Sequence, residues 1–212
     1  MTTFALIHGG GGSGWDFHRL VPELRARGHH AVAPDLPITD PSAGLDAFAE
    51  TILAALGDAS DVAVVGHSYG GFTAPLVAEK VHARLLVYLA GMIPAPGEPP
   101  GQWWGNTGFA APKGLSELET YFNGVPVALA EECQAHGRDQ VSKEWDEPWP
   151  LPAHPDVPTR VLLARDDRFF TPDFQHRVAR ERLGIEPDEI DGPHCVPLSH
   201  PAEIADRLIG YL

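Results

Sequence analysis

A serine with a glycine two positions away on each side is the clearest chemical pattern in the sequence, where residues 66–70 read Gly-His-Ser-Tyr-Gly. The apolar run at 62–65 predicts a buried strand directly before it, and helical spacing resumes from Thr73. A serine on a tight strand-to-helix turn is forced outward above the carboxyl edge of a sheet, with glycines where a Cβ would meet backbone. The pattern therefore predicts that Ser68 is a nucleophile rather than part of an ordinary Gly/Ser turn.

A serine hydroxyl is a poor nucleophile without a general base, and His194 is the predicted base. It follows the last predicted strand and precedes the final helix, which is the third place in the chain order serine, acid, histidine. His200 is the nearest alternative, but we expect it to cap the final helix. His67 lies next to the serine along the turn, and we expect it to be structural.

The acid is expected after a strand that lies between the serine and the histidine. Residues 160–164 predict such a strand, and Asp166 and Asp167 follow it. A buried carboxylate there would fix the imidazole tautomer and stabilise the imidazolium. Periodicity does not distinguish the two aspartates, so both are candidates at this point.

A glycine-rich segment follows the first predicted strand, where four glycines come after His8. It lacks the lysine and threonine that end a phosphate-binding P-loop, and no acidic residue is placed to bind a ribose. Combined with Ser68, it is better interpreted as an oxyanion loop. The backbone N–H groups of Gly10 and Tyr69 are the predicted donors to the oxygen of a tetrahedral intermediate.

Short apolar runs alternate with helical patterns along both ends of the chain. Strands are predicted at 4–7, 31–33, 62–65, 85–89, 160–164 and 185–190, and helices at 45–56, 73–80, 172–183 and 201–212. A further helical pattern follows Trp15 and stops at Gly28. Because the strands are continuously apolar rather than alternating, they predict a parallel sheet covered on both faces.

Residues 92–158 differ in character, holding eleven of the 21 prolines and four of the five tryptophans. Interior prolines exclude a long regular helix, and linkers are not rich in tryptophan, so this segment predicts an inserted lobe with short helices at 116–122 and 127–136. Its aromatic residues are candidates to line an apolar substrate pocket, although each alone is more simply core of the lobe. These are Trp103, Trp104, Phe109, Tyr121, Phe122, Trp145 and Trp149.

The composition narrows the possible functions. There are 15 basic and 29 acidic residues, a formal net charge of −14, which disfavours nucleic-acid binding. Cys133 and Cys195 are too few for a disulfide scaffold or a zinc site, and no metal or other cofactor is expected. No apolar run approaches the ~18–20 residues of a membrane helix, and the N-terminus shows no secretory signal. We expect a cytoplasmic protein that binds no membrane, with its oligomeric state left open.

Taken together, these residues resemble the α/β-hydrolase superfamily, and within it the plant methylesterase and hydroxynitrile lyase group. The matching pieces are His8-Gly9 with Trp15, residues 66–71, the segment 167–175, and His194 with the helix at 203–205 behind it. The resemblance implies an α/β-hydrolase fold, with a mainly parallel sheet of about six strands, helices on both faces and a small inserted cap. The change in composition predicts that the core comprises residues 1–91 and 159–212 and the cap residues 92–158. The resemblance also favours Asp167 over Asp166, because the acid in this group stands a few residues before a Pro-x-Phe-Gln segment.

The same resemblance helps to choose the reaction. The lyases carry a threonine after the first-strand histidine and a lysine after the catalytic histidine, where this chain has Gly9 and Cys195. Both differences favour hydrolysis of a carboxylic ester of a small, aromatic or apolar substrate through an acyl-enzyme. The alternatives are a lyase or C–C hydrolase using the same three residues, and a non-catalytic ligand-binding member of the fold. The presence of all three residues argues against the last.

Overall fold

Six short strands form the centre of the molecule, for which the computed structural model covers residues 1–212. They are β1 (Thr3–Ile7), β2 (His30–Val32), β3 (Val62–His67), β4 (Leu85–Leu89), β5 (Thr159–Ala164) and β6 (Asp188–Ile190). All neighbouring strands are parallel, in the order β2-β1-β3-β4-β5-β6. The predicted parallel sheet of about six strands is confirmed.

Nine α-helices and three 3₁₀ turns connect the strands. The helices are α1 (Leu20–Ala26), α2 (Leu45–Leu56), α3 (Ala74–Val81), α4 (Pro100–Asn106), α5 (Glu117–Tyr121), α6 (Val127–Ala135), α7 (Pro172–Leu183), α8 (Val196–Ser199) and α9 (Pro201–Gly210). The 3₁₀ turns are Gly14–Phe17, Ser68–Gly71 and Lys143–Asp146. The helical pattern after Trp15 is thus divided between a 3₁₀ turn and α1. The sequence analysis did not predict α4 and α8, because each is short and contains a proline.

The sheet is buried on both faces, which explains its continuously apolar strands. Along β1, alternate side chains point to opposite faces: Phe4 and Leu6 pack with α1 and α9, while Ala5 and Ile7 lie in the cluster that includes α2, α3 and α7. All four of these side chains are fully buried. A strand with no solvent-facing side cannot show the polar alternation of a half-exposed sheet.

Residues 92–158 lie between β4 and β5 and pack into the same apolar cluster as the sheet. Trp103 and Trp149 are both about 1% exposed in that cluster. The indole N–H of Trp149 donates to the carbonyl of Phe72, 3.0 Å away, just before α3. Arg182 of α7 donates through its two terminal guanidinium nitrogens to the carboxylate of Glu98. These contacts attach the segment firmly to the sheet and its helices, while its description as an inserted cap stays a prediction.

None of the helices combines the length and the apolar character that crossing a bilayer requires. Both cysteines, Cys133 and Cys195, are free thiols. No group of three or more histidine, cysteine, aspartate or glutamate side chains is arranged to hold a metal ion.

Candidate active site

The strand order places the candidate residues at one edge of the sheet. The chain runs from β1 outward to β2 and then returns to β3 on the other side of β1. In open parallel sheets, ligands bind in the crevice that such a reversal leaves beyond the carboxyl ends of the strands. The register pairs Ile7 with Gly66 and Ala164 with Ile190, which aligns these ends. The loops after β1, β3, β5 and β6 therefore meet above one edge.

Ser68 occupies a strained turn between β3 and α3. Its φ of 51° lies in the left-handed region, which a side chain rarely adopts and which costs on the order of 1–3 kcal/mol. The backbone on either side holds it there. A Cβ at Gly70 would lie 2.4 Å from the carbonyl oxygen of Ile7, and the Met92 N–H donates to the Ser68 carbonyl over 2.9 Å. The turn thus needs its glycine for close approach of backbone, as the pattern predicts.

The structure brings Ser68, His194 and Asp167 into one hydrogen-bonded chain. The distance from Ser68 Oγ to His194 Nε2 is 2.9 Å, and that from His194 Nδ1 to Asp167 Oδ2 is 2.8 Å. Because a carboxylate only accepts hydrogen bonds, Nδ1 carries the proton, and Nε2 is left to accept from the serine hydroxyl. This is the tautomer in which the imidazole can take up the proton of Ser68.

The structure also distinguishes the two aspartates that periodicity left open. Asp167 is 3% exposed, and its Oδ1 accepts from the N–H groups of Phe169 and Phe170 at 2.8 Å. Asp166 is exposed and accepts from the N–H of Gly192 instead, at 3.1 Å. The adjacent side chains thus point in different directions at the end of β5, and only Asp167 faces the imidazole.

Two other buried histidines support the residues around Ser68. Burial lowers the pKa of His67 to about 3, so His67 is neutral, and its Nε2 donates to the His194 carbonyl over 2.9 Å. Burial lowers the pKa of His8 to about 4. Its Nδ1 donates to the Gly9 carbonyl, while its Nε2 accepts from the Leu36 N–H. The structural role predicted for His67 has this contact as its basis, and the role of His8 was missed.

The glycine-rich loop lies directly against Ser68. A Cβ at Gly9 would be 3.0 Å from the Ser68 Cβ, and one at Gly10 would be 3.6 Å from the Tyr69 Cβ. Gly10 and Tyr69, the two predicted oxyanion donors, therefore lie side by side on the wall of the same cavity. His200, the alternative base, occupies the N-cap position of α9, but its Nδ1 pairs with the Ser199 hydroxyl and makes no capping bond.

A buried carboxylate links Tyr69 of the serine turn to the glycine-rich loop, and the sequence analysis missed it. Glu144 is fully buried, and its Oε1 accepts from the Tyr69 hydroxyl at 3.2 Å and from the Gln140 amide at 2.7 Å. Gln140 in turn accepts from the N–H of Gly11 at 3.0 Å. Burial and the charge of Glu144 raise the pKa of Tyr69 well above its usual value, so the phenol stays a donor. Nothing in the local sequence marks Glu144 among the many acidic residues of this chain.

Replacing Glu144 by alanine is expected to lower the free energy of unfolding by about 2–4 kcal/mol. The change leaves the Tyr69 hydroxyl and the Gln140 amide without their acceptor in a dry environment and opens a cavity. Glu144→Gln keeps the acceptor oxygen and removes a buried charge, so its stability should stay within about 1 kcal/mol of the wild type. Urea denaturation measures both. Equal stability of the alanine variant and the wild type would contradict the role of this contact.

Ser68 and His194 open onto a cavity of about 480 Å³. Roughly half of its lining comes from residues 92–158, and aromatic rings form much of its wall. They belong to Tyr69, Trp104, Tyr121, Phe122, Trp145 and Phe169. Phe169 was missed by the sequence analysis, although it lies two residues after Asp167, and its ring is 5.1 Å from that of His194.

The predicted substrate-binding aromatics are thus divided by the structure. Trp104, Tyr121 and Trp145 line the cavity, whereas Trp103 and Phe109 lie outside its lining. The indole N–H of Trp103 donates to the Ile93 carbonyl over 2.9 Å, within the core. The Phe109 ring packs behind Trp104 at 5.0 Å. The physical reason is helical geometry, since successive residues of α4 point in different directions and only one tryptophan can face the cavity.

The model of the alpha/beta hydrolase family matches residues 4–207. The chain belongs to this family. The predicted likeness of this α/β hydrolase to the methylesterase-like group is confirmed as well, since the relatives below include such proteins. The order of strands and the serine turn described above are thus those of a known fold.

Two curated relatives show the extent of the similarity in sequence. A probable esterase of rice, PIR7A, is 32% identical over 107 residues, which cover 45% of this chain and 41% of the rice protein. Methylesterase 2 of Arabidopsis thaliana is 25% identical over 252 residues, covering 97% of this chain and 94% of the relative. In several curated matches, the rice protein among them, the α/β hydrolase described here spans about half the length of its relative.

Among solved structures, polyneuridine aldehyde esterase superposes on this α/β hydrolase with a TM-score of 0.81. The two are 19% identical, and the match covers 99% of this chain and 98% of the other. At this level of identity, the likeness establishes the fold.

Proposed function

We propose that this α/β hydrolase cleaves carboxylic esters through an acyl-enzyme formed on Ser68. The observation that carries the proposal is the hydrogen-bonded chain from Ser68 Oγ through His194 to the buried carboxylate of Asp167. A hydroxyl paired with a correctly protonated imidazole is activated for attack on an acyl carbon. The esterase and methylesterase names of relatives support the same reaction.

The reaction begins when Ser68 Oγ attacks the acyl carbon and His194 Nε2 takes up the hydroxyl proton. The imidazolium is stabilised by Asp167, and the oxyanion accepts from the N–H groups of Gly10 and Tyr69. Loss of one such donor typically costs about 3–4 kcal/mol. The C–O bond to the alcohol then breaks, and His194 returns the proton to the departing oxygen. Water, deprotonated by the same imidazole, attacks the acyl-serine and releases the acid and free Ser68.

Two cavity residues favour hydrolysis over cyanohydrin cleavage. The lyases carry a threonine at the position of Gly9. A Cβ there would lie 3.5 Å from Ser68 Oγ, so glycine leaves more space beside the nucleophile than the lyase residue would. Cys195, next to His194, carries no cation to support a departing cyanide. Burial raises the pKa of its thiol well above the usual value, so the side chain stays neutral.

The cavity favours small esters with an aromatic or apolar part. Its volume of about 480 Å³ lies within the range of small-molecule sites, and rings such as those of Trp104, Tyr121 and Trp145 offer apolar surface. We therefore expect aryl esters of short acids to be turned over.

The proposal is tested by a fluorophosphonate probe and by the pre-steady-state kinetics of a nitrophenyl ester. We expect one probe per chain, located on Ser68 by mass spectrometry, and a burst of nitrophenol close to one equivalent of enzyme. A chain that neither takes the probe nor cleaves any ester would instead be a binding protein. Release of cyanide from an aromatic cyanohydrin, without ester cleavage, would make it a lyase.

A further inference from the structure

One carboxylate of the cavity is not used by the proposed mechanism. Asp16 lies in the 3₁₀ turn that follows the glycine-rich loop and lines the same cavity as Ser68 and His194. Its Oδ1 is 3.7 Å from the thiol of Cys133 on α6, a weak donor. No lysine, arginine or histidine nitrogen lies within 4 Å of its carboxylate.

The surroundings of Asp16 place no cationic side chain in contact with its carboxylate. Burial raises its pKa to about 6, since water that would solvate the charged form is largely excluded. A backbone hydrogen bond at Ser13 lowers the pKa, and Cys133, the carboxylate of Asp35 and the exposed ring of His136 have smaller effects. None of the side chains lining the cavity is a lysine or an arginine. At neutral pH the cavity therefore presents a carboxylate that lacks a partner of opposite charge.

We propose that this cavity selects esters that carry a cationic amine or quaternary ammonium group, with Asp16 as the residue that holds the cation. The inference rests on the proposed esterase function and assigns its substrate class. A bound cation would supply the missing charge partner. The rings of Trp104 and Tyr121, which line the same cavity, would attract its alkyl substituents through the ring quadrupole. An anionic substrate would meet repulsion from Asp16 and no compensating base.

The test compares two esters of nearly equal shape, 3-(trimethylammonio)phenyl acetate and 3-tert-butylphenyl acetate. Each value of kcat/KM is divided by the rate constant of that ester with hydroxide, which removes the difference in intrinsic reactivity. We expect the wild type to prefer the cationic ester by at least about tenfold, mainly through KM. Asp16→Asn should reduce this preference to within about twofold of unity. Glu132→Gln removes one exposed charge from α6 outside the cavity and should retain the preference.

The preference should also depend on pH with a defined sign. Asp16 is charged above its pKa of about 6, so the ratio of the two kcat/KM values is high above pH 6 and falls as the pH drops through it. Any effect of pH that is common to both esters cancels in the ratio. If Asp16→Asn keeps the same pH dependence, then His136 or Asp35 near Asp16, or Glu117 in the cavity lining, is responsible, and the assignment to Asp16 is wrong.

The outcomes separate this inference from the esterase proposal. Equal turnover of both esters by the wild type overturns the cation assignment and leaves ester hydrolysis standing. An equal loss for both esters in Asp16→Asn shows that the carboxylate supports the imidazolium of His194 instead. Turnover of neither ester, without probe labelling of Ser68, removes the proposed function itself. If Asp16→Asn fails to fold by circular dichroism, Asp16→Ser serves as the second variant, and the wild-type preference alone still decides the substrate class.

Discussion

Ser68→Ala is expected to lower kcat for aryl ester hydrolysis by about 10⁴–10⁶-fold, the range found when the nucleophile of such a triad is removed. No other hydroxyl is within hydrogen-bond distance of His194 Nε2, so nothing can replace the lost nucleophile. KM should change little, because the cavity wall is unaltered. Steady-state kinetics and loss of fluorophosphonate labelling measure the effect.

A matched control for this variant is Ser142→Ala. Ser142 is also buried, 3% exposed, but its hydroxyl makes no hydrogen bond and lies outside the cavity lining. We expect its kcat to stay within a few-fold of the wild type. Both variants should unfold within about 1 kcal/mol of the wild type, since alanine and serine tolerate the left-handed backbone at position 68 about equally. Retention of most activity by folded Ser68→Ala would refute the proposed nucleophile.

Asp167→Asn is expected to lower kcat by about 10⁴-fold. The Asn amide can donate to His194 Nδ1, which favours the tautomer with the proton on Nε2, and that nitrogen can no longer accept from Ser68. The imidazolium that forms during attack also loses its neighbouring negative charge. The structure predicts this without loss of fold, because the amide oxygen can still accept from the N–H groups of Phe169 and Phe170.

The neighbouring residue supplies the control for this second effect. Asp166→Asn removes the same charge one residue away, from an exposed side chain that accepts only from the Gly192 N–H. Its kcat should remain within about fivefold of the wild type, because a screened surface charge contributes little. If the two variants lose activity equally, net charge rather than contact with His194 governs the rate, and the assignment of Asp167 is wrong.

Much of the fold and of the candidate site could be predicted because the determining signals are local. Strand, turn and helix follow one another around Ser68 within a dozen residues, and the continuously apolar strands indicate a sheet covered on both faces. The order of Ser68, Asp167 and His194 along the chain then limits which loops can meet at one sheet edge. The choice between adjacent aspartates needed the family resemblance, since one step along an irregular loop changes direction without changing composition.

The remainder depends on contacts between distant segments, which no local pattern contains. Glu144 accepts a hydrogen bond from Tyr69, which lies 75 positions earlier in the chain, while its sequence neighbours Lys143 and Asp146 are exposed. Trp103 and Trp104 are chemically identical neighbours, and only packing decides which one faces the cavity. The pKa of Asp16 is raised because α6 and the glycine-rich loop lie around its carboxylate in the folded chain, which its sequence neighbours do not indicate.

The shared core of residues 92–158 and the sheet limits how the shape of the cavity can change during evolution. Buried rings such as Trp103 and Trp149 join residues 92–158 to the strands in one core, so altering them lowers the stability of the folded chain. Half-buried residues that line the cavity, among them Tyr121 and Trp145, contribute less to the stability of this core. Substitutions that reshape the cavity should therefore accumulate at its half-buried lining residues, while the buried tryptophans of the shared core are kept.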